Sequence, residues 1–282
     1  MLARRTLLLA LSLAACSRPA PGPAHAPARI VSLSPSTTEA LFAIGAGAAV
    51  VGRSRYCDYP PEVAHLPVVG GYVDASLETI LALTPDLVVG ARGPAGRAIA
   101  DALTARGVAT YFPLTESMAE IDAMLVGLGE LTGHAAEAVA VVARIAAQRA
   151  AVARAVAGAP RPRVLFVFGL SPIVVAGPSS FANEMLRLAG GENALLYGRG
   201  YPTIALERVL ALAPDMVVDA AIAEGHGGTR IHPGDAGWRE LAAVREGRVV
   251  GLADEAVLRP GPRIGDGIAA LARAIHPGLV VP

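Results

Sequence analysis

The residues that could bind a metal fall in one glycine-rich segment near the C-terminal end. His226, His232 and Asp235 lie between residues 224 and 237, after an apolar run. Imidazole and carboxylate groups are metal ligands, so this segment could hold a metal ion or the iron of haem. Because its spacing matches no zinc pattern, we interpret it as a solvated loop at the edge of a cleft.

The sequence offers little else for catalysis. It contains no Gly-x-Ser-x-Gly, His-Glu-x-x-His or Gly-x-x-x-x-Gly-Lys pattern, and it has no lysine at all. Its 24 basic and 24 acidic residues balance, so no overall field attracts nucleic acid. These features argue against an enzyme and against a nucleic-acid partner, and they indicate no resident cofactor.

A Leu-Glu…Pro-Asp segment occurs twice. Residues 77–89 recur at 206–218, so Glu78 and Asp86 match Glu207 and Asp215, and Gly71-Tyr72 match Gly200-Tyr201 at the same offset. A looser echo links Glu39, Leu41 and Gly45 to Glu184, Leu186 and Gly190. Apolar periodicity does not dictate the places of Glu, Pro and Asp. The repeat therefore indicates two related lobes.

Short apolar strands alternate with helices on both sides of one long helix. Strands are predicted at 29–33, 50–52, 87–90 and 164–168, and helices at 77–83, 118–131 and 181–188. This alternation is typical of α/β lobes with parallel sheets covered on both faces. The helix predicted over 134–157 would measure about 35 Å, long enough for a strut. We predict an N-terminal lobe at 29–133, a connecting helix at 134–158 and a C-terminal lobe at 159–282.

The N-terminus is typical of an exported lipoprotein. Arg4 and Arg5 precede an apolar stretch at 6–13 that is too short for a permanent anchor, and residues 13–16 resemble a lipobox. Residues 1–16 are therefore predicted to be a signal peptide ending in a lipidated Cys16, with a proline-rich tether at 17–28. The protein would be held at a membrane outside the cytoplasm. Cys57 would then have no disulfide partner, and we expect it to be buried.

Several motifs together resemble the helix-backbone periplasmic binding proteins that serve ABC importers of vitamin B12, haem and ferric siderophores. They are residues 29–39, 56–61, 190–193 and 259–264 and the two Glu segments. The run from Tyr56 to Pro61, followed by Gly70 and Gly71, is most similar to the corrinoid-binding branch. The resemblance covers residues 29–277 and implies two lobes joined by a rigid helix, with the ligand held between them.

The resemblance also implies roles for particular residues. It implies that Tyr56, Tyr72 and Tyr201 are aromatic faces for a flat macrocycle. It implies that Arg92, Glu255 and Arg259 are polar groups around it. One surface glutamate on each lobe, Glu78 and Glu207, would meet arginines on the permease. The cleft lacks the tryptophans of some corrinoid binders, because the only tryptophan, Trp238, is predicted to pack within the C-terminal lobe.

These expectations predict a monomeric binding protein that delivers a corrinoid such as vitamin B12 to an ABC permease and its ATPase. Within the same class, a haem or ferric-siderophore binder is the alternative, with Tyr72, Tyr201 or His226 contacting iron. From another class, the alternative is an extracytoplasmic metal-dependent enzyme or metal-storage protein that uses the segment from His226 to Asp235.

Overall fold

The structure is a computed structural model that describes residues 26–71, 73–221, 231–253 and 255–282. It contains two separate sheets, one formed before residue 112 and the other after residue 162. Most strand pairs are parallel, and helices alternate with the strands. The predicted α/β fold with two lobes is confirmed.

The N-terminal sheet has the strand order β2-β1-β3-β4, and its strands are all parallel. Every residue of the central strands β1 and β3 is buried, as expected for strands covered by helices on both faces. The strands are β1 (Ile30–Ser32), β2 (Val50–Arg53), β3 (Leu87–Val89) and β4 (Ala109–Tyr111).

The helices of this lobe begin and end where the sequence favours it. Ser34 accepts a hydrogen bond from the Thr37 amide at 3.4 Å, and Pro35 takes the first helical position. The third helix was not predicted, because its opening Pro-Ala-Gly is typical of a loop. The helices are α1 (Pro35–Ala43), α2 (Leu77–Ala82), α3 (Pro94–Thr104) and α4 (Met118–Thr132).

One long helix, α5 (Ala135–Ala155), connects the two lobes. Its 21 residues measure about 32 Å at 1.5 Å per residue. Its buried residues share one face and are Ala138, Val141, Ile145 and Val152. The C-terminal helix packs against it, and Gln148 donates to Asp266 of that helix at 2.7 Å. Among the helices that the structure describes, none combines the length and the apolar character needed to cross a bilayer.

The C-terminal sheet repeats the strand order of the first, because β7-β5-β8-β9 corresponds to β2-β1-β3-β4. One strand is additional: β6 pairs antiparallel with β5, although only parallel strands were expected. Only Ser171 and Pro172 separate the two strands, and so short a connection can join only antiparallel neighbours. The strands are β5 (Arg163–Leu170), β6 (Ile173–Val175), β7 (Glu192–Asn193), β8 (Met216–Asp219) and β9 (Val249–Gly251).

The helices of this lobe are α6 (Phe181–Leu188), α7 (Leu206–Leu212), α8 (Ala242–Arg245) and α9 (Ile264–Ile275). One apolar cluster runs through both lobes, from Ile30 in β1 through Ile145 in α5 to Phe166 in β5. Smaller clusters cover the outer side of each sheet, and Trp238 lies buried in the C-terminal one, as predicted. Separating the lobes would expose the shared core to water, so the fold favours a rigid pair.

The repeated Pro-Asp segment forms the same connection in both lobes. Asp86 Oδ2 accepts a hydrogen bond from the Arg29 amide at 2.9 Å, and Asp215 Oδ2 accepts one from the Arg163 amide at 2.7 Å. In each lobe the guanidinium of that arginine also donates to carbonyl groups at the end of the helix that precedes the aspartate along the chain. Each aspartate therefore holds the start of one central strand beside the start of the other.

Candidate ligand-binding cleft

Most of the predicted ligand residues follow the carboxyl ends of parallel strands. Tyr56 comes three residues after β2, Arg92 three residues after β3, and Glu255 and Arg259 come after β9. The carboxyl ends of parallel strands meet at one edge of a sheet, where α/β proteins commonly bind ligands. Contacts of Arg259 with the N-terminal lobe bring the two edges face to face, and the space between them is the candidate cleft.

Arg259 lies at the centre of a charged cluster that crosses between the lobes. Its Nη1 donates to Glu39 at 2.9 Å, and its two terminal nitrogens donate to the two oxygens of Asp58 at 2.6 and 3.0 Å. Its Nη2 also lies 2.7 Å from Glu255. Arg263 donates twice to Glu39, with both bonds at 2.8 Å. Three carboxylates therefore surround two guanidinium groups.

The charges in this cluster stabilise one another. Burial alone would lower the pKa of Arg259, but the hydrogen bonds that it donates to Asp58 and Glu39 raise it. The pKa of Asp58 is lowered, because its hydrogen bond and its attraction to Arg259 outweigh burial. The pKa of Arg263 is raised, mainly by its hydrogen bond to Glu39. Three acids against two bases leave one negative charge in excess.

Tyr56 presents an aromatic ring at the edge of the N-terminal lobe. Its side chain is 42% exposed, and the guanidinium carbon of Arg55 lies 6.0 Å from the ring centre. Asp74 holds Arg55 by two hydrogen bonds of 3.0 and 2.7 Å. A Cβ at Gly71 would lie 2.5 Å from Arg55 and 2.6 Å from Asp74, so a side chain there would displace this ion pair. The ring is therefore partly exposed and lies beside a guanidinium that Asp74 holds in place.

Tyr201 lies deeper in the protein than a residue on the surface of the cleft would. Its ring is packed edge-on against Phe168 at 5.2 Å and lies 6.0 Å from Phe181. Its hydroxyl is buried and has no well-oriented hydrogen-bond partner among the described residues. Burial raises its pKa, and the nearby Glu116 of the other lobe adds to the shift. Tyr201 thus borders the junction of the lobes as a neutral phenol.

Arg92 is an exposed cation at the N-terminal side of the cleft. Its Nε donates to the Phe112 carbonyl at 3.0 Å, which fixes the base of the guanidinium. Its terminal nitrogens donate to no described residue, so they remain available to a ligand acceptor. Among the arginines of the predicted site, Arg92 is the more accessible, because Arg259 is already surrounded by acids.

Several predicted residues lie outside the described part of the chain, namely Cys16, Tyr72 and His226. Of the histidine segment, the structure describes His232, whose amide donates to Asp235 Oδ2 at 2.7 Å and closes a turn. No group of three metal-binding side chains occurs among the described residues. Cys57 is buried, as predicted, and Thr38 donates to its sulfur at 3.1 Å.

The predicted docking acids occupy equivalent, exposed places. Glu78 is the second residue of α2 and Glu207 the second residue of α7, and both side chains face solvent. Each helix precedes a strand and runs antiparallel to it, so its first turn lies at the carboxyl edge of the sheet. Both acids therefore flank the side of the molecule where the cleft opens.

A groove of about 970 Å³ lies elsewhere, beside the connecting helix. It is bordered by α5, α6 and the start of α4, and Arg149, Glu184 and Arg187 line it. Arg149 is paired with Asp122 at 2.7 Å. Of the predicted ligand residues that the structure describes, none lines this groove, so its volume does not measure the candidate cleft.

Two related α/β lobes that share a core and face each other across a charged cleft define a bilobal solute-binding protein. The family model described as "Periplasmic binding protein" matches residues 30–256, so the chain belongs to the periplasmic binding protein family. This is a family of solute-binding proteins that act outside the cytoplasm.

Individual relatives agree with this assignment. The "Vitamin B12-binding protein" of Salmonella paratyphi A is 33% identical over 197 residues, which cover 70% of this chain and 73% of that protein. The "Uncharacterized ABC transporter substrate-binding lipoprotein YvrC" of Bacillus subtilis is 30% identical, covering 89% and 81%. A periplasmic heme-binding protein from Pseudomonas aeruginosa superposes with a TM-score of 0.76 at 29% identity, covering 90% of this chain and 94% of that one.

Sequence reasoning missed three members of the charged cluster as site residues: Glu39, Asp58 and Arg263. They lie within motifs that supported the family resemblance, but nothing in their local pattern marks them as partners of Arg259. The echo between Glu39 and Glu184 was the available signal, since an acid repeated at a helix position has no periodic reason to recur.

Proposed function

We propose that this chain captures a corrinoid such as vitamin B12 outside the cytoplasmic membrane and delivers it to the permease of an ABC importer. Cys16 would anchor the protein by lipid, and Glu78 and Glu207 would dock it on the permease. The 33% identity to a vitamin B12-binding protein supports the ligand class. The name of the Bacillus relative supports both the importer and the lipid anchor.

The charge of the Arg259 cluster is the observation that carries the choice of ligand. Three carboxylates hold its two guanidinium groups, so the cluster has no spare positive charge. The side chains around a corrin ring are mostly neutral amides, which both donate and accept hydrogen bonds. Haem and many siderophores carry carboxylates. The excess negative charge of this cluster would repel them, and among the described residues of the predicted site only Arg92 could pair with one. The cleft therefore favours a neutral, amide-rich periphery.

Haem or a ferric siderophore is the second candidate, supported by the likeness to a heme-binding protein. An iron ligand would have to be an ionised tyrosine or a neutral histidine. Burial raises the pKa of Tyr201, which disfavours its phenolate. This candidate would therefore depend on Tyr72 or His226, and a metal-dependent enzyme would depend on His226 and its neighbours.

Titration calorimetry on the full-length protein with cyanocobalamin, haemin and a hydroxamate ferrisiderophore tests the proposal. We expect cyanocobalamin to bind most tightly, and R92A to weaken it by roughly tenfold, the usual effect of losing one hydrogen bond to a charged group. R106A is the matched control, because Arg106 is also exposed and also donates to one backbone carbonyl, but it lies beyond the end of α3 at the opposite edge of the sheet. Binding of haemin without cyanocobalamin would overturn the corrinoid assignment.

A further inference from the structure

The two glutamates of the looser repeat, Glu39 and Glu184, cross the lobe boundary in opposite directions. Glu39 belongs to α1 of the N-terminal lobe and binds Arg259 and Arg263 beyond β9. Glu184 belongs to α6 of the C-terminal lobe and accepts a hydrogen bond from the Met118 amide at 2.7 Å. The two glutamates, at equivalent positions of their helices, thus each form a contact between the lobes. Of the two, only Glu39 contacts an arginine of the cleft.

The contact between Glu39 and Arg259 is permanent. The Glu39 side chain is 1% exposed, and its two oxygens accept three hydrogen bonds of 2.8 to 2.9 Å from Arg259 and Arg263. The guanidinium of Arg263 also lies 4.1 Å from the ring centre of Tyr59, which fixes it from the other side. A buried carboxylate cannot be separated from its cations without a large loss of free energy, so a ligand does not displace Glu39.

The contact between Asp58 and Arg259 differs from that of Glu39, because it is exposed to solvent. Asp58 also binds Arg259 through two oxygens, but its side chain is 54% exposed. An exposed carboxylate exchanges its partner for water at little cost. The side of Arg259 that faces Asp58 is therefore the side from which a ligand acceptor can approach.

We propose that Glu39 and Arg263 are positioning residues that hold Arg259 at the cleft, and that Asp58 occupies its ligand-facing donors until an amide carbonyl oxygen of the ligand replaces it. This rests on the proposed function only in the nature of the ligand. Glu39 does not contact the ligand, and Asp58 is a competitor of the ligand rather than a contact.

Substitutions of Glu39 and of Asp58, which both bind Arg259, should change the affinity for cyanocobalamin in opposite directions. We expect E39Q to raise the dissociation constant for cyanocobalamin roughly tenfold, because Arg259 loses its fixed partner, and D58N to lower it by about threefold, because a competitor is weakened. E184Q is the matched control: the new amide side chain would keep an oxygen for the Met118 amide, and the affinity should not change. Weakening by D58N as large as that by E39Q would overturn the proposal.

A double-mutant cycle separates positioning from a general loosening of the fold. If Glu39 acts through Arg259, E39Q should have no further effect on the dissociation constant once R259M is present. If the two penalties multiply, Glu39 acts elsewhere and the proposal fails. R263K provides a second variant that keeps the charge but loses the paired hydrogen bonds, and we expect about half the effect of E39Q on a logarithmic scale.

A measurement without ligand distinguishes failure of this proposal from failure of the corrinoid assignment. In arginine-labelled protein, the Nη1–H signal of Arg259, whose nitrogen donates to Glu39 at 2.9 Å and which is assigned by its loss in R259M, should be protected from exchange with water in the wild type and in D58N. It should exchange at least about tenfold faster in E39Q. Equal exchange in E39Q and the wild type would refute the positioning role, whatever ligand the protein binds.

Discussion

The two copies of the Leu-Glu…Pro-Asp segment differ in how their helices begin, although their ends are alike. Ser76 caps α2 by accepting from the Thr79 amide at 3.2 Å, whereas α7 begins after Ala205, which has no capping side chain. Thr84 and Ala213, which follow the two helices, have the same φ of 44°. Helix capping therefore does not explain why both copies have the same glutamate and the same aspartate.

The acids of the two segments divide into two groups. The aspartates are tied to the backbone of a neighbouring strand, so a structural demand explains why both copies keep them. Glu78 and Glu207 have no hydrogen bond or ion pair among the described residues. Each gains at most about 1 kcal/mol from the positive end of its helix. A partner outside the chain accounts better for the glutamates, in line with the proposed docking role.

Charge reversal of both glutamates should give the largest effect. We expect E78R together with E207R to reduce transporter-dependent uptake of cyanocobalamin to background, because like charges would then face the permease arginines. The measurement is uptake in cells or proteoliposomes that contain the permease and ATPase. Affinity measured by calorimetry should stay at the wild-type value.

E137R together with E240R is the control for that experiment. Glu137 and Glu240 are also exposed acids in the first turns of helical segments, so their reversal disturbs the helix ends in the same way. Uptake by this control should remain normal. Normal uptake by the E78R and E207R protein as well would remove the docking role from both segments.

Removal of the aspartates should give an intermediate effect that differs between the lobes. Asp86 accepts from two backbone amides, of Ala28 and Arg29, each at 2.9 Å, while the Asp215 side chain accepts from one. Because both side chains are exposed, we expect D86A to lower the free energy of unfolding by about 2 kcal/mol and D215A by about 1 kcal/mol. Urea titration measures both, with D101A as an exposed control. A larger loss for D215A would contradict this account.

The helix caps should give the smallest effect, with opposite signs in the two lobes. S76A should destabilise the protein by about 1 kcal/mol, because the Thr79 amide loses its acceptor. A205S should stabilise it by about 0.5 kcal/mol, since the backbone at Ala205 already has the extended conformation of a capping residue. The same urea titration measures both changes. Destabilisation by A205S would mean that α7 begins differently in solution.

Local pattern was enough to predict most of the elements near the repeat. Helix α6 has the predicted bounds, and α4 differs by one residue, because apolar spacing and a Ser or Gly at the ends determine such helices. The additional strand β6 and the helix α3 were missed. A Ser-Pro turn and a Pro-Ala-Gly opening are typical of loops, and tertiary packing decided them.

The candidate site was predictable in part. The loops that carry Tyr56, Arg92 and Arg259 follow strands, so their position at one edge follows from the parallel topology. Tyr201 was expected on the cleft surface, but its ring lies against Phe168 and Phe181. Its depth could not be read from the sequence, since Phe168 lies more than thirty residues before it along the chain.

By itself, the sequence determined the two-lobe organisation, the paired glutamates and the family resemblance, because repeats, periodicity and motifs are properties of neighbouring residues. Only the tertiary structure decided the partners of Arg259 in the other lobe. Asp58 lies 201 residues away and Glu39 lies 220 residues away along the chain. No local pattern couples residues at such distances; they meet because the shared core fixes the edge of one sheet against the other, and the buried charges then have to pair.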